Sequence, residues 1–352
     1  MKPVPEQPLA SLLIALVAGI FLCMALAAAV GAGPVDLIGT IWEGAWGSTE
    51  SAVNTLAKTT PLLLTGLAVA LAYRSGLLNV GCEGQLTLGA LVCTTFARIA
   101  EPLPPFLLLP LTLVAGGVAG GLWSYPAVVL RQKRGVHEVI STLLLNYLAI
   151  ALCGYLVDGP LGDGSAMGRT PPIPAGAEMP EFLHSGSLYL TPGPFLALFL
   201  CFAGYLWLSR TVGGFETRSV GANFEAALNA GIDAPARQRR IFILSGALAG
   251  IAGAIEIAAV HHRFYRSFSP GYGFDGLTAA FLANASPEWL WLSTLFLASL
   301  RSADTSLQIG LNVSPHFIWV VQAILLLAVA SKSRIGSGLR RILQRKGAKA
   351  VE

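Results

Sequence analysis

The chain has 352 residues, 54% of them hydrophobic and only 12% charged, against about 25% charged in an ordinary soluble domain. That balance excludes a water-soluble globular enzyme, and no polar stretch is large enough for a second domain, so one membrane domain over 1–352 is expected. The net charge of +4 lies mostly in loops and in the C-terminal tail, which fits membrane orientation and argues against nucleic acid as a partner.

About ten membrane spans are predicted, each of roughly 17–25 mainly apolar residues. The first runs from about 9 to 30. Ala25-Leu26-Ala27 resembles a signal-cleavage site, but the uncharged run from Pro8 to Val35 is long for a leader, so an uncleaved helix is expected. An outer segment with Asp36, Trp42, Glu43, Trp46 and Glu50 follows. Further spans are read at 59–73, 80–97, 106–130 and 139–157, with the basic stop RQKRG beginning at Arg131. The stretch 158–192 is dense in Gly and Pro and should be irregular. Spans at 193–208, 241–260, 272–286, 289–300 and 315–331 complete the set, before a basic tail over 332–352.

All but six of the twenty-three Lys and Arg fall on one side if both termini are cytoplasmic; the six outside are Lys58, Arg98, Arg169, Arg263, Arg266 and Arg301. An internal repeat is visible. Pro61–Gly89 carries an apolar run, a basic residue, a Gly-rich break (Gly76, Gly81, Gly84) and a new apolar run. Ser245–Ala280 repeats that order with Gly271, Gly273 and Gly276. Paired interrupted segments are how transporters build a midplane site.

The polar stretch 210–240 lies between two very apolar runs. Asn223 can cap a short helix through Glu225, Ala226, Ala227, Leu228 and Asn229, with Gly231 ending it in a left-handed turn. Asp233 and Pro235 then suit the start of the next helix. A helix of about 10 Å is marginal alone, so its small, Ala-rich surface suggests that something packs on it.

No Gly-Lys dipeptide occurs, so a phosphate-binding P-loop is excluded and any ATP must be hydrolysed by another subunit. The five cysteines (Cys23, Cys82, Cys93, Cys153, Cys201) show no CxxC spacing, and the five histidines form no metal motif, so neither metal nor cofactor is expected. Polar groups at membrane depth are costly and mark function or tight pairing. They are Asn79, Glu83 and Gln85 in LNVGCEGQ, Asn146 on the face of Glu138, Glu256 in AGAIEIAAV, and Asp275 in GYGFDG. Such a set can recognise a polar, uncharged solute, with Phe274 or Tyr272 stacking on a ring. The structural alternative pairs Glu83 with Arg74, Glu138 with Arg134, and Glu256 with His261 or Arg263.

At this point YRSGLLNVGCEGQ resembles the signature of bacterial ABC-importer permeases of the simple-sugar and nucleoside group. GVHEVISTLLLNY is similar to a second marker of that group, with His137 where Asn is usual, and VGANFEAALNAGI resembles its cytoplasmic loop, with Phe224 for Pro. VHHRFYRSFSPGYGFDG is similar to a fourth. The resemblance implies an all-α, polytopic helix bundle in the bacterial cytoplasmic membrane, most like the larger permease of nucleoside importers. It also implies partners: two ABC ATPase subunits, a shorter homologous permease, and an extracellular or periplasmic solute-binding protein. Gly221, Asn223, Glu225, Ala226, Ala227, Ala230, Gly231 and Ile232 would then form the helix that seats in an ATPase groove.

The expected function is ATP-driven import of a nucleoside by alternating access. A simple sugar is the nearest alternative. An ion-coupled carrier would use Glu83 and Glu256 as proton sites, and an intramembrane enzyme finds no catalytic set.

Overall fold

The computed structural model describes residues 33–165, 167–185, 188–311, 314 and 316–324, with Leu326 and seven positions between 13 and 28. The described helices are α1 (Pro34–Trp46), α2 (Thr49–Arg74), α3 (Cys82–Ile99), α4 (Pro105–Arg134), α5 (Glu138–Asp158) and α6 (Gly193–Arg210). They continue with α7 (Val212–Ala222), α8 (Phe224–Asn229), α9 (Ala234–Glu256), α10 (Tyr272–Leu282), α11 (Pro287–Ser302) and α12 (Asp304–Leu311). Helix α9 runs on through a π-turn, Ile257–His261.

Five helical stretches among the described residues are long and apolar enough to cross a membrane: Thr49–Arg74, Pro105–Arg134, Glu138–Asp158, Gly193–Arg210 and Ala234–His261. They coincide with the expected spans near 59–73, 106–130, 139–157, 193–208 and 241–260. The spans expected at 80–97, 272–286 and 289–300 correspond to the shorter or more polar α3, α10 and α11. The span expected at 9–30 and the tail 332–352 lie largely or wholly outside the described residues, and the span expected at 315–331 is helical over its described part 317–324.

Helices α2 and α9 form the centre. Every residue from Thr59 to Ala72 is buried, which suits a helix apolar all round. Helix α4 covers α9, α6 covers α2 and α5 packs on α3 and α4. The three turn Leu122, Leu144 and Phe199 outward, each more than 60% exposed, as lipid-facing side chains are.

The repeat read in the sequence is present as two motifs of opposite direction. Helices α2 and α9 run antiparallel: Ser245 Oγ donates to the Ala68 carbonyl at 2.7 Å, and Gln238 Nε2 to the Ser75 carbonyl at 3.0 Å. Each packs along the broken return helix of the other motif in the same direction. Thr65 Oγ1 reaches the Tyr272 carbonyl and Arg74 Nε the Ala285 carbonyl, so α10 follows α2. Asn79 pairs with Ser245 and Cys93 Sγ with the Ala254 carbonyl, so α3 follows α9. Helices α4 and α9 touch backbone to backbone, because a Cβ on Gly250 would overlap the Gly116 carbonyl.

Two corrections concern helices. The outer segment after the first span, to which no helix was assigned, is helix α1, with Leu37 and Ala45 fully buried. Trp46 Nε1 ties it to Ser299 Oγ at 3.1 Å, and the Ala45 carbonyl accepts from Thr55 Oγ1 at 2.8 Å. The stretch 212–222, not expected to be helical, is α7, capped by Thr211 Oγ1 on the Gly214 N–H. The irregular stretch over 158–192 is as expected, with a 3-10 turn at Ala175–Ala177 and a small hairpin of β1 (Leu183–Ser185) and β2 (Leu188–Leu190), Leu183 opposite Leu190.

Candidate functional site

The break before α3 is closed by neutral amides. Asn79 Nδ2 donates to Gln85 Oε1 at 2.8 Å and to Ser245 Oγ at 2.9 Å, while Asn79 Oδ1 accepts from Gln85 Nε2 at 3.1 Å and from the Gly81 N–H at 2.9 Å. Asn146, on α5, accepts from the Gly84 N–H and donates to the Val80 carbonyl, both at 2.8 Å. These side chains are 0–2% exposed. Their hydrogen-bonding groups serve the broken backbone and one another, as buried amides must.

The break before α10 is held by charge. Glu83, 4% exposed, accepts the Gly273 N–H at 2.7 Å, so the first turns of α3 and α10 meet at this carboxylate. A Cβ on Gly273 would overlap the backbone of Glu83, so this close approach requires glycine. Asp275 Oδ2 lies 2.6 Å from Arg301 Nη2 on α11, and the Arg301 carbonyl accepts from Lys58 Nζ at 3.0 Å. Glu256 stands 3.7 Å from His261 Nε2. Thr65 is nine residues before the end of α2, so this acidic cluster lies about 14 Å in from that end.

The seven predicted solute residues therefore separate. Asn79, Gln85 and Asn146 form the amide knot; Glu83, Glu256 and Asp275 gather at the start of α10; Phe274 stands apart and 38% exposed. Two of the suggested structural pairs differ. Arg74 Nη2 bonds Ser286 Oγ at 2.8 Å and does not reach Glu83, and Glu138 pairs with Arg131 at 3.3 Å instead of with Arg134. His137, in place of the usual Asn, caps α5 by accepting the Val139 N–H at 3.3 Å.

A small cavity of about 110 Å³ opens beside Glu83, lined also by Thr87, Cys153, Phe264, Phe268 and Ser269. Sequence reasoning passed over Thr87, although four residues after Glu83 it shares that helix face. Ser269 was hidden in a turn before Pro270. A second cavity, of about 780 Å³, lies at the opposite, basic end, between Arg131, Gly76, Gly221, Phe224 and Gln238.

That basic end carries the short helix α8. Asn223 Oδ1 caps it on the Ala226 N–H at 3.1 Å, Gly231 ends it at φ +82°, and Asp233 Oδ1 caps α9 on the Ala236 N–H at 3.0 Å. Ala227 turns inward and packs with Val220 and Ala234, assisted by Phe224 and Ile232. Gly221 lies against the Arg74 carbonyl, where a Cβ would overlap it. Glu225, Ala226, Leu228, Ala230 and Gly231 face outward. An ion pair between Glu216 and Arg237 and a 2.7 Å bond from Gln132 Nε2 to the Pro235 carbonyl fasten α7 and α4 to the start of α9. The loop that carries α8 is thereby joined to α2, α4 and α9.

Comparison with known proteins places this architecture. Residues 51–330 match the family described as the branched-chain amino acid transport system permease component. A glucose ABC transporter permease of Haloferax volcanii is 35% identical over 315 residues, covering 85% of this chain and 81% of that protein. A guanosine ABC transporter permease of Bacillus subtilis is 31% identical over 345 residues and 97% of both chains. A nucleoside ABC transporter permease of Lactococcus lactis is 28% identical over 91% of this chain and 90% of its own. With a family match running from α2 to beyond α12 and relatives aligned over most of their length, the chain belongs to this permease family and is a multi-pass membrane subunit of an ABC transporter.

Proposed function

We propose that this permease imports a nucleoside across the bacterial cytoplasmic membrane, with both termini on the cytoplasmic side. The observation that carries the choice of solute is end-to-end alignment: the guanosine relative spans 97% of both chains. A simple sugar is the second reading, favoured by the higher identity of the glucose relative. ATP is bound and hydrolysed by separate ATPase subunits, one of which takes the exposed face of α8 into a groove. A second, homologous permease completes the membrane path, a solute-binding protein delivers from outside, and lipid covers α4, α5 and α6.

The cycle follows from the packing. Closure of the ATPases moves α8, and the Gly221–Arg74 contact passes the movement to α2. Because α10 runs along α2 and α3 along α9, tilting α2 against α9 shifts the two broken junctions relative to each other. The Asn79, Gln85, Asn146, Glu83, Glu256, Phe274 and Asp275 region then opens to alternate sides.

Uptake of labelled guanosine, with ribose in parallel, by cells lacking this gene or its ATPase is the test. Loss of guanosine uptake alone in both strains is expected. Loss of ribose uptake alone selects the sugar reading, and uptake that survives without the ATPase but dies with the proton gradient rejects both. For the docking face, Ala226→Trp should abolish uptake and leave the permease in the membrane; retained uptake would remove α8 from that role. The buried Ala227 is the wrong position for this test, since bulk there would disturb the loop itself.

A further inference from the structure

We propose that the cavity beside Glu83 is a polyol subsite: it binds the hydroxyl-bearing ring of the solute, a vicinal diol above all, and leaves any base outside. This deepens the reading above and rests on it for the class of solute.

The polar wall comes first. A carboxylate offers roughly four acceptor positions. The Gly273 N–H takes one on Glu83, so acceptor capacity remains toward the cavity, and Ser269 Oγ, which accepts from the Gly271 and Tyr272 N–H groups, lines the same space. The Thr87 hydroxyl spends its proton on the Glu83 carbonyl at 2.8 Å and keeps its lone pairs for a donor. A cluster rich in acceptors, 4% exposed at Glu83 and 6% at Thr87, asks for a ligand that brings donors. Two adjacent sugar hydroxyls supply them in the spacing a carboxylate accepts.

The opposite wall is apolar. Phe264 and Phe268 lie with ring centroids 5.1 Å apart at 51°, and Cys153 and Ile150 of α5 complete it. Sugar rings have a C–H face that packs on aromatic carbon while their edge hydrogen-bonds. The turn that presents Phe268 and Ser269 to the same space is held by Ser267 at φ +57°, a left-handed conformation unfavourable for serine.

Size sets the limit. About 110 Å³ is room for roughly four waters, comparable with one sugar ring and well below the roughly 300 Å³ at which sites for larger ligands begin. A nucleobase therefore projects out of it. The lining comes from α3, α5 and the turn before α10, so relative movement of the two junctions opens or closes the subsite.

The test uses the complete transporter in proteoliposomes, with the binding protein saturated so that maximal rates report the membrane step. Guanosine and 2′-deoxyguanosine are compared in the wild type and in Thr87→Val and Ser269→Ala. The wild type should favour guanosine by about tenfold or more, as expected for one lost hydrogen bond in a buried site. In the variants guanosine should slow and the preference shrink to about threefold or less. An unchanged preference in both variants overturns the subsite.

If the transporter carries glucose and no nucleoside, the nucleoside reading fails. The same ratio, taken with glucose and 2-deoxyglucose, then decides the subsite. Should the variants not assemble, Ile150→Cys gives a second readout. Saturating guanosine should slow its labelling by a small thiol reagent, measured against the unsubstituted protein, and guanine should not. Equal protection by guanine, or none by either, overturns the proposal.

Discussion

The two broken junctions occupy equivalent places in opposed repeats, yet different chemistry holds them. Before α3, Asn79, Gln85 and Ser245 satisfy one another and Asn146 satisfies the backbone of Val80 and Gly84, all at 2.8–3.1 Å. Before α10, the contacts are ionic or require glycine, and three residues have left-handed backbones, His262 at φ +54°, Ser267 at +57° and Gly271 at +99°. Neutral amide pairs are inexpensive to keep buried once satisfied, whereas a buried ion pair becomes costly as soon as one partner leaves. The first junction is thus built like a pivot, with redundant neutral bonds, and the second like a latch, held by charge pairing.

Substitution of Gly273 breaks the comparison most severely. Its Cβ would fall on the Glu83 backbone, whereas a Cβ on Gly81 would meet side chains only, the nearest being the Gln85 amide at 2.8 Å. Gly273→Val should abolish folded protein, seen as loss of the monodisperse peak in detergent, and Gly81→Ala should keep most of it. Equal yields would mean that the two approaches are equally tight.

Next comes the latch itself. Arg301→Met leaves Asp275 buried without its cation and should destabilise the fold by about 3–5 kcal/mol. The double variant Arg301→Met with Asp275→Asn should recover most of that loss. Reversible unfolding in mixed detergent micelles measures both. A double variant as unstable as the single one would show that the Arg301 side chain acts through the Pro270 carbonyl and the Trp319 ring instead of through Asp275.

Local chemistry made much of this legible in advance. Asn223, Gly231 and Asp233 cap and end helices through bonds spanning three residues or fewer, and the glycines of both breaks stand out against apolar flanks. What escaped is what only packing decides. Helix α1 carries Asp36 and Glu43 and reads only as an outer segment until Leu37 and Ala45 are buried and Trp46 and the Ala45 carbonyl bond α11 and α2. Helix α7 was hidden by Gly213 and Gly214, the second of which is buried against the end of α6. Arg301 counted as an outer basic residue, and its pairing with Asp275, 26 positions earlier, follows from no helical period. Asn79 and Gln85 are six apart and meet because the chain between them leaves the helix.

The smallest expected effect sharpens the picture of the pivot. Ser245 Oγ bridges Asn79 Nδ2 and the Ala68 carbonyl, at 2.9 and 2.7 Å. Removing it with Ser245→Ala leaves Asn79 still bonded to Gln85 in both directions and to the Gly81 N–H. Side-chain hydrogen bonds within membrane bundles average about 0.6 kcal/mol, so a loss of roughly 0.5–1 kcal/mol is expected from the same micelle unfolding. Gln85→Leu takes both reciprocal bonds from Asn79 and should cost about 1–3 kcal/mol. If Ser245→Ala alone costs as much as Arg301→Met, the amide knot is no more tolerant than the ionic latch. The assignment of pivot to α3 and latch to α10 would then be lost, because redundancy of bonding at Asn79 is what distinguishes the two.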